Sequence, residues 1–146
     1  MNHEFARCVI AEYGIIVNSQ NQFLLLKMYQ TEKYPGENWM LPGGRLETTD
    51  RAEEALLREI REETGLAVEV LSPCHVANWL SEGEPKYIVF FLCRLAGEAR
   101  VKLSHEHPGY RWAEFSDLDS LPIYNPAAQQ AINKSKRLNK QIFSWE

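Results

Sequence analysis

The apolar positions of this chain change period twice, and those changes outline an architecture. Tyr13, Ile15 and Val17 alternate beyond Gly14, the period of a strand with one buried face, so residues 6–17 read as extended. Asn18-Ser19-Gln20-Asn21 is turn chemistry, and the compact apolar block at 23–28 reads as a second strand closing a hairpin. Trp39-Met40-Leu41 leads into the breaker Pro42-Gly43-Gly44. From 51 to 64 the period becomes helical. Asp50 stands at the N-cap position with Glu53 three residues on, as in a capping box, and Gly65 stands where a helix end favours positive φ. Residues 66–80 then read as extended with an interruption at Pro73, 81–85 as a turn, and 86–95 as a strong strand. Val101-Lys102-Leu103 and Tyr110-Arg111-Trp112 are candidates for a further strand pair. Asn125 as a cap and Pro126 at the first position open a second helix reaching about Arg137. Residues 138–146 carry no readable pattern. Mixed strands with two helices predict an α/β sandwich.

The first helix breaks the usual segregation of charge. At about 100° per residue, Ala52, Ala55, Leu56 and Ile60 fall on one stripe that should face the core, while Glu53, Glu54 and Arg61 fall off its centre. Glu59 and Glu63 nevertheless lie within the apolar stripe, with Glu62 at its edge. A carboxylate buried without a partner is strongly disfavoured, so inward-facing acids need cations. Arginines from neighbouring elements, a frayed end of the stripe, or a divalent metal held by hard oxygen ligands would each account for the pattern.

Composition narrows the setting. The 146 residues are 45% hydrophobic and 25% charged, the proportions of a globular chain, and with no repeat or linker-like stretch one domain over 1–146 is expected. Sixteen Lys+Arg against twenty Asp+Glu, a net charge of −4, argues against electrostatic gripping of nucleic-acid backbone. A phosphate substrate remains compatible, because bound divalent cations reverse the local field. The apolar run Ile88-Val89-Phe90-Phe91-Leu92-Cys93 is far too short to span a bilayer, and no signal-peptide pattern opens the chain. Cys8, Cys74 and Cys93 include no CxxC spacing and read as three buried free thiols in a reducing, cytoplasmic setting.

Gly44, Asp50, Arg58-Glu59-Ile60, Glu62-Glu63 and Gly65-Leu66 together resemble the Nudix box, G-x5-E-x7-R-E-U-x-E-E-x-G-U with U aliphatic. Eight of its nine specified positions match, and Asp50 stands where the family usually has Glu. Trp39-Met40-Leu41-Pro42-Gly43 is similar to the family's usual lead-in. The resemblance implies an α/β/α sandwich with a mixed sheet and a loop–helix–loop that holds Mg²⁺, or Mn²⁺ in its place, against a diphosphate. It makes Glu59, Glu62, Glu63 and the carbonyl of Gly43 metal ligands and has Arg58 orient the carboxylates. Two close cations would neutralise the anhydride and activate a water, with Glu59 or a loop carboxylate accepting the proton. Asp50 is one methylene shorter than the family's Glu and Thr49 replaces a glycine common before it. Asp50 either caps the helix, where Asp serves as well as Glu, or reaches water near the metal.

Outside the box, Ser104-His105-Glu106-His107-Pro108-Gly109-Tyr110-Arg111-Trp112 is similar to a segment of asymmetric diadenosine tetraphosphate hydrolases. That likeness makes Glu106 a candidate extra ligand or general base, against the plain alternative of a solvated loop acid. His105 and His107 read as loop-exposed or structural. Tyr110 suits base stacking or a half-buried strand position, and Trp112 suits the core. Arg45 and Lys86 are candidate phosphate contacts that simple exposure explains nearly as well, and Trp39 and Trp79 are core or substrate walls.

The expected activity is hydrolysis of a phosphoanhydride in a nucleoside diphosphate linked to another group, with dinucleoside polyphosphates as the first subclass. (d)NTPs, ADP-ribose and nucleotide sugars are the alternative substrates, since Nudix specificity lies in loops. A non-catalytic nucleotide-binding Nudix-like domain is the alternative of another class; it predicts loss of carboxylates that are all present. No membrane or nucleic-acid partner is expected, and a homodimer is compatible with the sequence.

Overall fold

The alternating first segment forms β1 (Val9–Val17) in the computed structural model, which describes residues 3–143. It turns through Asn18, whose side-chain oxygen accepts the amides of Gln20 and Gln22 at 3.0 and 2.9 Å, and pairs antiparallel with β2 (Gln22–Lys27). Phe23, Leu24, Leu25 and Leu26 are all fully buried because β2 has a core on both faces, which is why its sequence is a block and not an alternation. β3 (Trp39–Met40) pairs with β2, and β4 (Gly43–Arg45) pairs antiparallel with β1.

The first helix, α1, spans Ala52–Thr64 and ends on Gly65 in the left-handed region, φ 71°, as its sequence predicts. Its apolar stripe buries Ala55, Leu56 and Ile60 against the sheet, whereas Ala52, assigned to the same stripe by its wheel position, lies exposed in the first turn. β5 (Val68–Ser81) continues through Pro73 instead of stopping there. Register shifts flank the proline, and because β5 is the terminal strand of the sheet the missing N–H is tolerated. β6 (Glu84–Leu95) pairs antiparallel with β5 and parallel with β1, giving a mixed sheet of order β3-β2-β1-β6-β5 with β4 joined to β1 and β7 (Tyr110–Glu114) to β2.

Residues 101–103 are not the expected strand. Their backbone is drawn to the end of α1, where the Lys102 amide donates to the Thr64 carbonyl at 2.8 Å and the Ser104 amide to the Glu63 carbonyl at 3.1 Å. Helix-end carbonyls lack intrahelical donors, and this loop supplies them. After a 3₁₀ helix at Phe115–Ser120, α2 (Pro126–Phe143) starts as predicted, with the Ala127 amide donating to the Asn125 side chain at 2.9 Å. It runs past Arg137 because buried polar anchors extend it: Asn139 donates to the Asn21 side chain in the first turn at 2.6 Å. Of the unreadable segment 138–146, residues 144–146 lie outside the described residues.

The result is an α/β/α sandwich. One core joins α2 and the 3₁₀ helix to Ile15, Phe23, Leu25, Phe90 and Leu92, and the other joins α1 to Ile16, Leu24, Leu26, Phe91 and Cys93. The three thiols are free; Cys93 is buried and Cys74 half-buried, but Cys8, ahead of β1, is exposed, contrary to expectation. Among the described residues no helix is long and apolar enough to cross a membrane.

Ile60 sits at the centre of the α1 contact, fully buried. Ile60→Ala is expected to lower the unfolding free energy by roughly 2–5 kcal/mol, read from urea denaturation. A loss under 1 kcal/mol would mean that this contact does not anchor the helix.

Candidate active site

The site is organised by β4. Gly43 lies opposite Tyr13 of β1 and Gly44 opposite Glu12, so the two glycines face the two sides of the sheet. Gly43 has φ 153°, and a Cβ there would stand 2.0 Å from the Glu12 carbonyl oxygen, so the position admits only glycine. At Gly44 a Cβ would stand 3.1 Å from the Glu59 carboxyl carbon, so its absence lets α1 lay that carboxylate directly on the strand.

Four carboxylates gather around this point. Glu63 is 4% exposed and faces the Gly43 amide, and its Oε2 has no hydrogen bond. Burial pushes its pKa up, and His107 opposes that shift. Glu59 is partly buried, and desolvation first, then Glu62 and Glu63, raise its pKa above the ordinary carboxylate value. Glu62 is exposed on the last turn of α1. Glu106, exposed in the loop before β7, raises both Glu59 and Glu63 electrostatically and so stands over the same cluster. Glu59, Glu62, Glu63, Gly43 and Glu106 are therefore brought together. Among the described residues, no three His, Cys, Asp or Glu side chains are gathered tightly enough to cage an ion by themselves.

Asp50 does not cap α1. Arg51 occupies the N-cap position with no side-chain hydrogen bond, and Asp50 instead takes both arms of the Arg58 guanidinium at 3.0 and 3.2 Å and accepts the Glu47 amide at 2.8 Å. The Arg58 hydrogen bond, followed by that amide, holds its carboxyl below the usual range. The charge pair won over the cap because a bidentate guanidinium is a stronger partner than a helix amide. Arg58 in turn lies 3.8 Å from Glu59, so Asp50 aims the arginine at the carboxylate cluster.

Two contributors escaped the sequence reading. Glu12, on β1, is 2% exposed with an unpartnered Oε2, and burial, then Asp50 and Glu53, push it up to about 7. Alternation puts Glu12 opposite the Tyr13, Ile15 and Val17 face, and the strand by itself does not show that α1 covers that side as well. His107, read as loop-exposed or structural, is buried, with Nδ1 3.0 Å from the Lys27 carbonyl and Nε2 3.5 Å from Glu63 Oε2.

Across β1 from the carboxylates lies a cavity of about 180 Å³ lined by Tyr13, Met28, Tyr34, Met40, Leu41, Phe90, Tyr124, Asn125 and Ala128. Tyr13 and Phe90 stack along its floor, centroids 6.1 Å apart. Tyr34 and Tyr124 meet edge to face at 4.9 Å and share a hydroxyl–hydroxyl bond of 3.2 Å, joining the loop after β2 to the loop before α2. An aromatic cavity on one side of two adjacent glycines and a carboxylate cluster on the other suit a ligand with a planar ring at one end and an anionic, cation-binding group at the other.

The NUDIX domain model matches residues 10–134 of the chain. The protein belongs to the Nudix hydrolase family. It is 31% identical over 107 residues, 70% of this chain and 75% of the relative, to a Caenorhabditis elegans bis(5'-nucleosyl)-tetraphosphatase [asymmetrical]. It is equally 31% identical over 133 residues, 82% of this chain and 91% of the relative, to the nucleoside triphosphatase NudI of Klebsiella pneumoniae. Its fold is shared with a MutT protein of Methanosarcina mazei, TM-score 0.75 at 24% identity over 94% of this chain and 99% of the other. It is likewise shared with the C. elegans Ap4A hydrolase, TM-score 0.75 at 22% identity over 91% and 98%. The chain is thus a Nudix pyrophosphohydrolase, and its α/β/α architecture is the one that the box resemblance implied.

Within this Nudix domain the remaining candidates scatter. Arg45 ends β4 opposite Ala11 and sits near enough to lower the Tyr13 pKa. Lys86 lies on the cavity's side of the sheet but four residues along β6 from Phe90, roughly 13 Å away, opposite Val9 and beside the exposed Trp79. It is not gathered with the carboxylates. Tyr110, 45% exposed, opens β7 opposite Leu26, on the α1 side. Trp39 is core, its indole donating to Glu37 at 3.0 Å, and Trp112 is half-buried against the α1 core.

A raised folded-state pKa means that Glu12 favours folding in full below its unfolded value near 4.5, a contribution lost as pH rises through about 7. Glu12→Gln is therefore expected to stabilise the chelator-treated protein by about 2–3 kcal/mol at pH 8, and by much less at pH 5. Equal effects at both pH values would contradict the burial of that charge.

Proposed function

We propose that this pyrophosphohydrolase acts with Mg²⁺ on a nucleoside polyphosphate whose base enters the aromatic cavity and whose phosphates pass the Gly43–Gly44 edge to the α1 carboxylates. The observation that carries the reading is the register of β4 on β1, with Gly43 facing the Tyr13 side and Gly44 the Glu59 side. A planar base fits the aromatic walls by stacking. Dinucleoside polyphosphates are the preferred class, supported by the likeness to the asymmetrical tetraphosphatase and by the exposed Tyr110 beyond the carboxylates, where a second base could stack. A nucleoside triphosphate is the second reading, favoured by the fuller coverage of the NudI relative.

The residues fit a divalent cation. Glu63 Oε2 is buried without a hydrogen bond among the described residues, and Glu59, Glu62, Glu63 and Glu106 press acids together, with Arg58 opposing the charge of Glu59 and His107 that of Glu63. A small hard cation held by one or two carboxylates, the Gly43 carbonyl and substrate oxygens matches a site that is not an all-protein cage. When bound, such a cation supplies Lewis acidity toward the anhydride. Glu59, with its raised pKa, lies against Gly44 and accepts the proton of the attacking water; Glu106 is the alternative base. Arg58, held by Asp50, fixes the Glu59 carboxylate and offsets the charge of its neighbours.

Glu59→Gln is expected to reduce kcat with Mg²⁺ at least 100-fold, the scale of removing a general base, while far-UV circular dichroism and Tm are retained. Unchanged turnover would remove Glu59 from the chemistry. In a panel of diadenosine polyphosphates, NTPs, ADP-ribose and nucleotide sugars, a dinucleoside polyphosphate should show the highest kcat/KM. Tyr124→Ala should raise KM about tenfold with kcat changed little, the loss of one stacking contact. A preference for ADP-ribose or a sugar nucleotide overturns the substrate class, and an unchanged KM overturns the cavity as base site.

A further inference from the structure

The loop at 101–109 is held by several contacts besides His107: Val101 and Leu103 pack against the α1 core, and the Tyr29 hydroxyl donates to the His105 carbonyl at 3.1 Å. Lys102 and Ser104 amides donate to the Thr64 and Glu63 carbonyls, and the Lys27 amide donates to the Gly109 carbonyl at 2.8 Å. His107 is therefore one anchor of the loop among several, and it is buried between β2 and α1, with Nδ1 on the Lys27 carbonyl at 3.0 Å and Nε2 3.5 Å from Glu63 Oε2. A carboxylate has about four lone-pair directions. The Gly43 amide faces one part of Glu63, and His107 faces Oε2, an atom that has no hydrogen bond of its own. Those two groups decide which directions of Glu63 stay open.

We propose that His107 is a positioning residue: pinned to β2 through Lys27, it orients Glu63 on the Gly43 backbone and so presets the cation-binding face of the cluster. The inference rests on the reading of these carboxylates as cation ligands and adds a residue outside the box to their support. Glu106, next in the chain, is placed by the same anchor, since the Lys27 contacts to His107 and Gly109 fix the backbone on its β7 side.

The two ring nitrogens can be tested separately. Asn superposes its amide on the Nδ1 edge and loses the reach to Glu63, whereas Gln extends to the Nε2 position. Mn²⁺ binding to the full chain without substrate, followed by electron paramagnetic resonance, reads the ligand set directly. His107→Asn should weaken the Mn²⁺ Kd by roughly 10- to 100-fold, the scale found for groups that orient a ligand, and His107→Gln should return it to within about threefold of the wild type. At saturating Mn²⁺, kcat of His107→Asn should recover more than its apparent metal affinity. Equal Mn²⁺ affinity in His107→Asn and wild type, or equal losses in both variants, overturns the positioning role. If His107→Asn fails to fold, His107→Gln decides alone: a Kd near wild type supports the proposal, and a tenfold loss defeats it. Failure of the underlying reading looks different, because the wild type itself would then bind no Mn²⁺ and Glu59→Gln would remain active.

Discussion

The contact on which the rest of the structure depends is the close approach of α1 to β4, where the Glu59 carboxylate rests on a backbone with no side chain beneath it. The approach requires glycine at 43, where a Cβ would stand 2.0 Å from the Glu12 carbonyl oxygen, and is eased by glycine at 44, where a Cβ would crowd the Glu59 carboxylate at 3.1 Å. That strand is only three residues long, and its ladder to Ala11–Tyr13 converts the approach into a register. Helix, glycine edge and aromatic cavity are thereby set on one frame.

Placing so many acids together opposes folding, and the protein manages this unevenly. Arg58 is shared between Asp50 and Glu59 and meets one carboxylate with full bidentate geometry and the other only loosely. Glu63 receives a histidine at a distance too long for a strong hydrogen bond, and Glu12 Oε2 has no hydrogen-bond partner among the described residues. The raised pKa values of Glu12, Glu59 and Glu63 express that incomplete neutralisation. Such an excess of desolvated acid is characteristic of functional sites, and it is the charge that the cation proposed above would offset.

Several elements were legible because they rest on local chemistry. Gly65 ends its helix and Asn125 starts the next as their side chains dictate. Asp50 shows the limit of local reasoning: its residue type suits a cap, but an arginine two turns along α1 competes for the same oxygens and wins. The strand expected at 101–103 fails for a related reason, since those amides are recruited by the open carbonyls at the end of α1. Pro73 was expected to interrupt an extended segment and instead sits within β5, a terminal strand of the sheet whose register shifts on both sides of the proline.

The order of residues along the chain was enough to place the first helix, the acids within its apolar stripe and the resemblance to the family, because all of these follow from spacing within a single helical repeat and its flanking glycines. Glu12, His107 and the aromatic walls around Tyr13, Tyr34 and Tyr124 became visible only in three dimensions. Their partners are separated from them by dozens of residues, and whether a strand residue faces one layer or the other is settled by pairing between strands. Side-chain spacing carries information over a few residues; a cavity and a buried charge are properties of surfaces that meet only after the sheet has closed.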